Sequence, residues 1–177
     1  DAEIIKVVAE ILTKLNVGGF NIKLNHRLLL DAIVNLSGIG DDKYRTVCSS
    51  VDKLDKEEWK DVKKEIIEKG ITEEQADKLW SFVQLKDKPK ALLEKLSGNQ
   101  DLLANTKGKT ALDELAILFD YLEIMDVDKY CTFDLSLARG LDYYTGTVYE
   151  TFLNDYKSIG SICSGGRYND LAGYYDA

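Results

Sequence analysis

The stretch LARGLDYYTGTVYE, residues 137–150, places an arginine just before a pair of tyrosines and a run of alternating residues. The run TGTVYETF repeats with the period of two that is typical of a β-strand. Tyr144, Val148 and Phe152 would then share one face of that strand. Gly146 would leave a space between them where a ligand could lie against the backbone. The pattern therefore predicts a sheet with a surface suited to a ligand.

Two side chains of this stretch suit ligand binding. Arg139 carries a planar guanidinium, which can hold a carboxylate or a phosphate through paired hydrogen bonds. Tyr144 can offer its ring to a flat ligand and its hydroxyl to a polar group. The same pattern is compatible with an arginine that stacks on tyrosines at the surface, or with tyrosines that only pack in a sheet. Asp134 and Asp142 flank Arg139 and are predicted to be its ion-pair partners. The other strand face is predicted to carry Tyr143, Thr145, Thr147, Tyr149 and Thr151.

A second candidate is SICSGGRYNDL, residues 161–171. Its two adjacent glycines allow a close backbone approach or a turn, and both interpretations stay open. The segment lacks the Gly-Lys-Ser/Thr ending of a phosphate loop and the Gly-x-Gly-x-x-Gly spacing of a dinucleotide site.

His26 is the only histidine, and we expect it to cap a helix or lie at the surface rather than bind a metal.

Along the rest of the chain, the spacing of apolar residues predicts helices and strands in a mixed order. Helices are predicted over 2–16, 26–36 and 110–125, and strands over 20–25, 130–138, 143–153 and 159–164. Strands separated by helices, with several strands in succession at the end, indicate an α+β fold with antiparallel pairing.

The middle of the chain has a different composition. Residues 37–106 are highly charged and contain predicted helices over 42–54, 57–69 and 73–85, the last opened by a capping signal at Thr72. We therefore predict three parts: residues 1–36 and 107–177 form one domain, and residues 37–106 form a helical insertion.

Composition excludes several classes of protein. With 45% hydrophobic and 31% charged residues, the 177-residue chain can bury a core, and it has no apolar run of membrane-helix length. The net charge is −8, and residues 107–177 hold 12 acidic against six basic residues. A general nucleic-acid surface would have the opposite sign, so we expect any such contact to be local. Three widely spaced cysteines, Cys48, Cys131 and Cys163, favour a reducing cytoplasm over a disulfide framework or a zinc site.

Taken together, the motifs resemble those of the histidyl-tRNA synthetase family. The string Arg-Gly-Leu-Asp-Tyr-Tyr at 139–144, followed by CSGGRYNDL, is similar to the histidine-specific signature of that family. The opening DAEIIKVVAEIL and the stretch KYRTVCSSVDKLDKEEW resemble its eukaryotic cytosolic form. The similarity extends over essentially the whole chain.

This resemblance implies a class II catalytic domain, an antiparallel sheet flanked by helices and interrupted by a helical insertion toward the tRNA acceptor stem. It implies that the parent protein joins histidine to ATP, forming histidyl-adenylate and pyrophosphate, and then transfers the histidyl group to tRNA(His). ATP is implied as a substrate, with Mg²⁺ needed by the parent protein and no metal bound by this chain. A homodimer and no membrane partner are also implied.

The resemblance also assigns residues. Arg139 matches the signature arginine that contacts the substrate carboxylate and the α-phosphate of ATP. Tyr143, Tyr144 and Tyr168 match tyrosines of the histidine pocket, where a phenol hydroxyl can pair with an imidazole nitrogen. Strand alternation would put Tyr143 and Tyr144 on opposite faces, which makes Tyr144 the better candidate for the pocket.

The chain departs from the family pattern in what it lacks. Motif 1 at the dimer interface, motif 2 with its ATP-binding arginine, motif 3 and the anticodon-binding domain are absent. We therefore expect a piece of a longer enzyme that is inactive alone. Two alternatives are a synthetase-like tRNA-binding domain of a stress-sensing kinase and a regulatory paralogue that serves bacterial histidine biosynthesis. Both tend to lose the substrate-binding residues, so the intact 139–144 string favours the enzyme.

Overall fold

A computed structural model describes residues 1–138 and 143–175 of the chain. Its strands are β1 (Phe20–His26), β2 (Lys86–Asp87), β3 (Cys131–Asp134), β4 (Thr147–Leu153) and β5 (Ser161–Gly166). Its helices are α1 (Ala2–Lys14), α2 (Arg27–Leu36), α3 (Tyr44–Val51), α4 (Trp59–Glu68), α5 (Glu73–Val83), α6 (Pro89–Ser97), α7 (Gln100–Ala104), α8 (Thr106–Ile124) and α9 (Leu171–Tyr175). The predicted α+β fold class is confirmed.

The described strands form one sheet in the order β2-β3-β1-β4-β5. The pairs β2–β3, β1–β4 and β4–β5 are antiparallel, as predicted, but β1 and β3 are parallel. The predicted antiparallel pairing therefore holds for these three pairs and not for β1 with β3. Parallel neighbours need a long crossover, and here the whole chain from α2 to α8 provides it. Such a distant pairing leaves no local signal in the sequence.

One face of the sheet is apolar. Strand alternation puts Ile22 and Leu24 of β1 on the same side as Phe133 of β3, and all three are fully buried. Phe119 of α8 meets Phe133 edge to face, with the ring centroids 5.3 Å apart. Helix α1 adds Ile5 and other residues of its buried face to the same core. This side of the sheet is therefore the hydrophobic core.

The opposite face of the sheet is polar, although much of it is buried. Asn25 of β1, Asp134 of β3 and Glu150 of β4 lie on this side and are each no more than 4% exposed. Lys23 of β1 also lies here, and its Nζ is 3.0 Å from Asp134 Oδ2. Buried polar groups on one sheet face indicate where a ligand can lie.

The helices of the middle segment pack partly on each other and partly on the rest. Trp59 of α4 and Trp80 of α5 stack with ring centroids 4.6 Å apart. The capping signal at Thr72 is confirmed, because its Oγ1 accepts a hydrogen bond from Gln75 N at 3.2 Å. However, β2 pairs with β3, and α6 packs against α8. The boundaries at 37 and 106 stay a prediction. Across the described residues, no helix is both long and apolar enough to span a membrane.

His26 joins the sheet to the first turn of α2. It is completely buried, its Nδ1 accepts a hydrogen bond from Leu28 N at 3.2 Å, and its Nε2 lies 3.2 Å from Glu114 Oε2. The predicted capping role is confirmed, whereas the surface alternative is wrong. Because Nδ1 accepts, the neutral ring carries its proton on Nε2 and donates it to Glu114. Burial lowers the pKa of His26 below its ordinary value of 6.5, although Glu114 opposes this shift.

We expect His26→Ala to lower the free energy of unfolding by about 1–2 kcal/mol, because the helix cap is lost. Since the folded pKa is below the unfolded one, the stabilisation by His26 is present above about pH 6.5 and is lost as pH falls through the folded pKa. Urea unfolding of the 177-residue chain at pH 7.5 and pH 5 measures both effects. His26→Asn is the matched control, because it keeps a capping side chain and removes the titration. A pH dependence in His26→Asn as large as that of the wild-type chain would contradict the role of His26.

Candidate functional site

A cleft of about 400 Å³ opens on the polar face of the sheet. One wall is the sheet with the segments that enter it, and the other wall is helix α3. The sheet side is lined by Leu137, Ala138, Tyr144, Val148, Tyr149, Glu150, Ser164 and Gly165. The α3 side is lined by Tyr44, Arg45, Cys48, Ser49 and Asp52. A cleft of this size, with apolar walls and a few polar groups, suits a small ligand.

The adjacent glycines of β5 make room for two tyrosines on opposite faces of the sheet. A Cβ on Gly166 would lie 2.7 Å from a ring carbon of Tyr144, and a Cβ on Gly165 would lie 2.5 Å from Tyr149 Oη. Of the two interpretations that the sequence left open, close backbone approach is therefore correct. Gly166 lies opposite Val148, so Tyr144 is on the polar face that carries the cleft.

The tyrosines predicted for the site lie together. The rings of Tyr143 and Tyr144 are 4.7 Å apart at 69°, and those of Tyr143 and Tyr168 stack at 5.0 Å and 21°. Of the three, Tyr144 lines the cleft, whereas Tyr143 is exposed. Burial, and then a hydrogen bond with Tyr143, raise the pKa of Tyr144, so it is a neutral phenol that can donate and accept. Arg139 and Asp142 lie outside the described residues.

The prediction of a space for a ligand at Gly146 is wrong. A Cβ on Gly146 would lie 2.9 Å from Cδ of Arg167, so the stem of Arg167 fills that space. Backbone bonds fix the arrangement, because Thr145 N donates to Arg167 O and Arg167 N donates to Thr147 O, each at 2.8 Å. The Arg167 guanidinium pairs with the carboxylate of Asp1, its Nη2 lying 2.8 Å from Oδ2. β4 begins only at Thr147, so strand alternation does not extend back to the tyrosine pair.

Two side chains hold the segment that leads to residue 139. Asn25 donates from Nδ2 to Leu137 O at 2.9 Å. Asp134 Oδ1 accepts from Ser136 N at 3.0 Å, and its other oxygen faces Lys23. Ser136 and Lys23 are thus side-chain partners of Asp134 among the residues that the structure describes, and its expected pairing with Arg139 stays a prediction.

Sequence reasoning missed the second wall of the cleft. Tyr44, Arg45 and Cys48 lie on α3, nearly 100 residues before the tyrosine pair, and only the fold brings them together. Glu150 was missed as well, although it lies in the quoted stretch and alternation puts it with Val148. An acidic residue between apolar neighbours on a buried strand face was the available signal.

The three cysteines are not joined in disulfides and lie in different surroundings. Cys131 is buried, donates to Val127 O at 3.4 Å, and has its pKa raised to about 12 by burial. Cys48 is partly exposed at the cleft. In the part of the chain that the structure describes, no three His, Cys, Asp or Glu side chains are grouped to hold a metal ion.

Comparison with known proteins identifies the family. The family model described as histidyl-tRNA synthetase matches residues 1–177, the full chain. The chain belongs to the histidyl-tRNA synthetase family. The predicted resemblance is therefore confirmed over the whole sequence, and nothing in these comparisons favours the kinase-associated alternative.

Individual members of this family are similar to the chain in sequence, and one solved structure is similar to it in fold. The chain is 49% identical over 176 residues to the cytoplasmic histidine–tRNA ligase of Dictyostelium discoideum, covering 99% of this chain and 37% of that protein. It is 40% identical to the mitochondrial histidine–tRNA ligase of Saccharomyces cerevisiae, covering 36% of it. The crystal structure of histidyl-tRNA synthetase from Nostoc sp. PCC 7120 matches with a TM-score of 0.92 and 35% identity, over 99% of this chain and 41% of that one. The chain thus spans less than half the length of these relatives.

We expect Gly166→Ala to destabilise the chain by about 1–3 kcal/mol, because the added methyl group overlaps the ring of Tyr144. Urea unfolding measures the change. Gly98→Ala is the matched control, because its Cβ would meet its nearest neighbour, Lys95 O, at an ordinary 3.5 Å.

A double variant ties this cost to the tyrosine. In the presence of Tyr144→Ala, the substitution Gly166→Ala should cost less than it does alone, because the overlapping ring is gone. Equal costs in both backgrounds would show that Tyr144 does not lie over Gly166.

Proposed function

We propose that this chain is part of a class II histidine–tRNA ligase and carries much of its histidine site. One observation supports this most strongly. The cleft is lined by Ala138 and Tyr144, which stand immediately before and shortly after the signature residues 139–142 in the chain. A site lined by the last residue of the most family-specific string, and by the residue just before that string, is the best candidate for the substrate pocket.

The proposed reaction has two steps. The carboxylate of histidine attacks the α-phosphorus of ATP, an oxygen–phosphorus bond forms, and pyrophosphate leaves. A ribose hydroxyl at the end of tRNA(His) then attacks the carbonyl carbon of the adenylate and releases AMP. In the first step two anions meet while charge builds on the phosphoryl oxygens, so a fixed cation lowers the barrier. We assign that role to Arg139.

We assign the recognition of histidine to the tyrosine cluster. Tyr144 lines the cleft and presents a neutral hydroxyl, which can donate to or accept from an imidazole nitrogen. Tyr143 and Tyr168 stack on each other beside Tyr144, and their proposed role is to complete and support the pocket. A site that pairs with both kinds of imidazole nitrogen discriminates against apolar side chains of the same size, because its own polar groups would be left unpaired.

Further parts of the proposal concern the whole protein. We propose that ATP is the activating substrate and that Mg²⁺ enters with its phosphates. We also propose that the helical segment 37–106 approaches the tRNA acceptor stem and that the full-length protein is a homodimer joined outside residues 1–177. A cytoplasmic location is proposed because the Dictyostelium relative, at 49% identity, has that designation, against 40% for the mitochondrial yeast protein.

Histidine-dependent exchange between ATP and labelled pyrophosphate in the full-length protein tests this proposal. We expect Arg139→Ala to reduce the exchange rate by about 10²–10³, in the range found when a group that stabilises transition-state charge is removed. Arg139→Lys is the matched control, because it keeps the charge and loses the paired donors, so its loss should be smaller. A near-normal rate in Arg139→Ala would contradict the assignment, and no histidine-dependent exchange in the wild-type protein would contradict the proposed function.

A further inference from the structure

Arg27, the first residue of α2, contacts both walls of the cleft. Its backbone N–H donates to Gly146 O at 2.9 Å, two residues beyond Tyr144. Its guanidinium carbon lies over the ring of Tyr44, 4.0 Å from the centroid. Tyr44 is the first residue of α3 and lines the cleft on that side. Arg27 therefore connects the sheet side of the cleft, which carries Tyr144, with the side formed by α3.

The side chain of Arg27 is itself held in place. It pairs with Asp31 one helical turn later, and Asp31 Oδ2 also lies 3.2 Å from Nζ of Lys107 on α8. The side chains of Arg27 and Asp31 are only 19% and 14% exposed. A cation over an aromatic ring is worth more when it is shielded from water, so this contact is among the stronger of its kind.

Tyr44 packs partly against the hydrophobic core, but it also borders open space. A second hollow, of about 500 Å³, is lined by Arg27, Asp31, Asp41, Asp42, Tyr44, Arg45 and Lys107. Tyr44 thus lines both this hollow and the cleft. Without the guanidinium over its ring, the first turn of α3 would have room to move away from the sheet.

We propose that Arg27 is a positioning residue that fixes the width of the cleft, through its contacts with Tyr44 and Gly146. It acts on the substrate only through these two partners. The proposal rests on the proposed function, because it takes the cleft to be the histidine site.

A comparison within the chain supports this role. Lys129 also lies over an aromatic ring, that of Tyr130, at 5.5 Å. Lys129 and Tyr130 are neighbours in sequence and do not line the cleft, so their contact does not link the two sides of the cleft. Arg27 and Tyr44 belong to different helices, so their contact determines how two elements are placed.

The test measures exchange kinetics of Arg27→Met, Tyr44→Leu and the double variant in the full-length protein. We expect KM for histidine to rise about tenfold in each single variant while kcat stays within about twofold, because binding geometry changes and the reacting groups do not. The double variant should be no worse than either single variant, because the two residues act as a pair. Arg27→Lys keeps a cation and should raise KM less. Lys129→Met is the matched control and should leave KM unchanged.

A second measurement reports the position of helix α3 and does not depend on enzymatic activity. Cys48 lies on α3 at the cleft, so its rate of alkylation by iodoacetamide reports how closely α3 is held. We expect a several-fold faster rate in Arg27→Met and no change in Lys129→Met. Buried Cys131, whose pKa is raised to about 12, should remain unmodified and shows that the protein is still folded.

The two measurements separate the possible outcomes. A folding defect in Arg27→Met would lower the active fraction and hence kcat while KM for histidine stays unchanged, and this result would overturn the proposal. An unchanged rate of Cys48 alkylation in Arg27→Met would also overturn it. A faster Cys48 rate with an unchanged KM shows that the contact holds α3 but does not position substrate, which also overturns it. If the wild-type protein shows no histidine-dependent exchange, the proposed function fails, and the Cys48 rate alone then decides whether Arg27 holds the wall.

Discussion

The antiparallel pairing of β1 with β4, from Phe20 opposite Leu153 to His26 opposite Thr147, determines which side chains meet the core and which meet the cleft. In this register Ile22 and Leu24 face the helices, while Asn25 and Glu150 face the other way. A slip of one residue would bury the polar set in the core and expose the apolar set. The register is therefore strongly specified, because one face of the sheet is packed against α1 and α8.

A second pairing, of β4 with β5, sets what the two glycines of β5 can do. Adjacent strand residues point to opposite faces, so Gly165 receives Tyr149 on the core side and Gly166 receives Tyr144 on the cleft side. The same pairing brings Arg167 beside Gly146 and fixes the segment that carries Tyr144. The placement of Tyr144 in the candidate pocket thus follows from backbone pairing.

Much of the fold could be predicted because its signals are local. The apolar stripe of α1, the cap at Thr72 and the alternation in β4 each act over a few residues. The parallel pairing of β1 with β3 could not be predicted, because more than 100 residues separate the strands. The two-residue strand β2 is too short to show any alternation.

The candidate site shows the same division. Tyr144 and the glycine pair were identified from the string in which they occur, and the structure brings them together. Helix α3 as the second wall, and Arg27 as its link to the sheet, depend on packing between helices joined by a turn and have no signature in the sequence. The space predicted at Gly146 failed because Arg167 comes from a different strand segment, and alternation within one strand does not report its neighbours.

We propose that histidine binds to the polar face of the sheet, at Tyr144. A crystal structure of the full-length protein with bound histidine tests it most directly. We expect the imidazole to lie within hydrogen-bond distance of the Tyr144 hydroxyl, on the side of the sheet that carries Val148 and Glu150. An imidazole bound elsewhere, such as in the hollow lined by Glu114 and Arg167, would contradict the assignment of the histidine site to Tyr144.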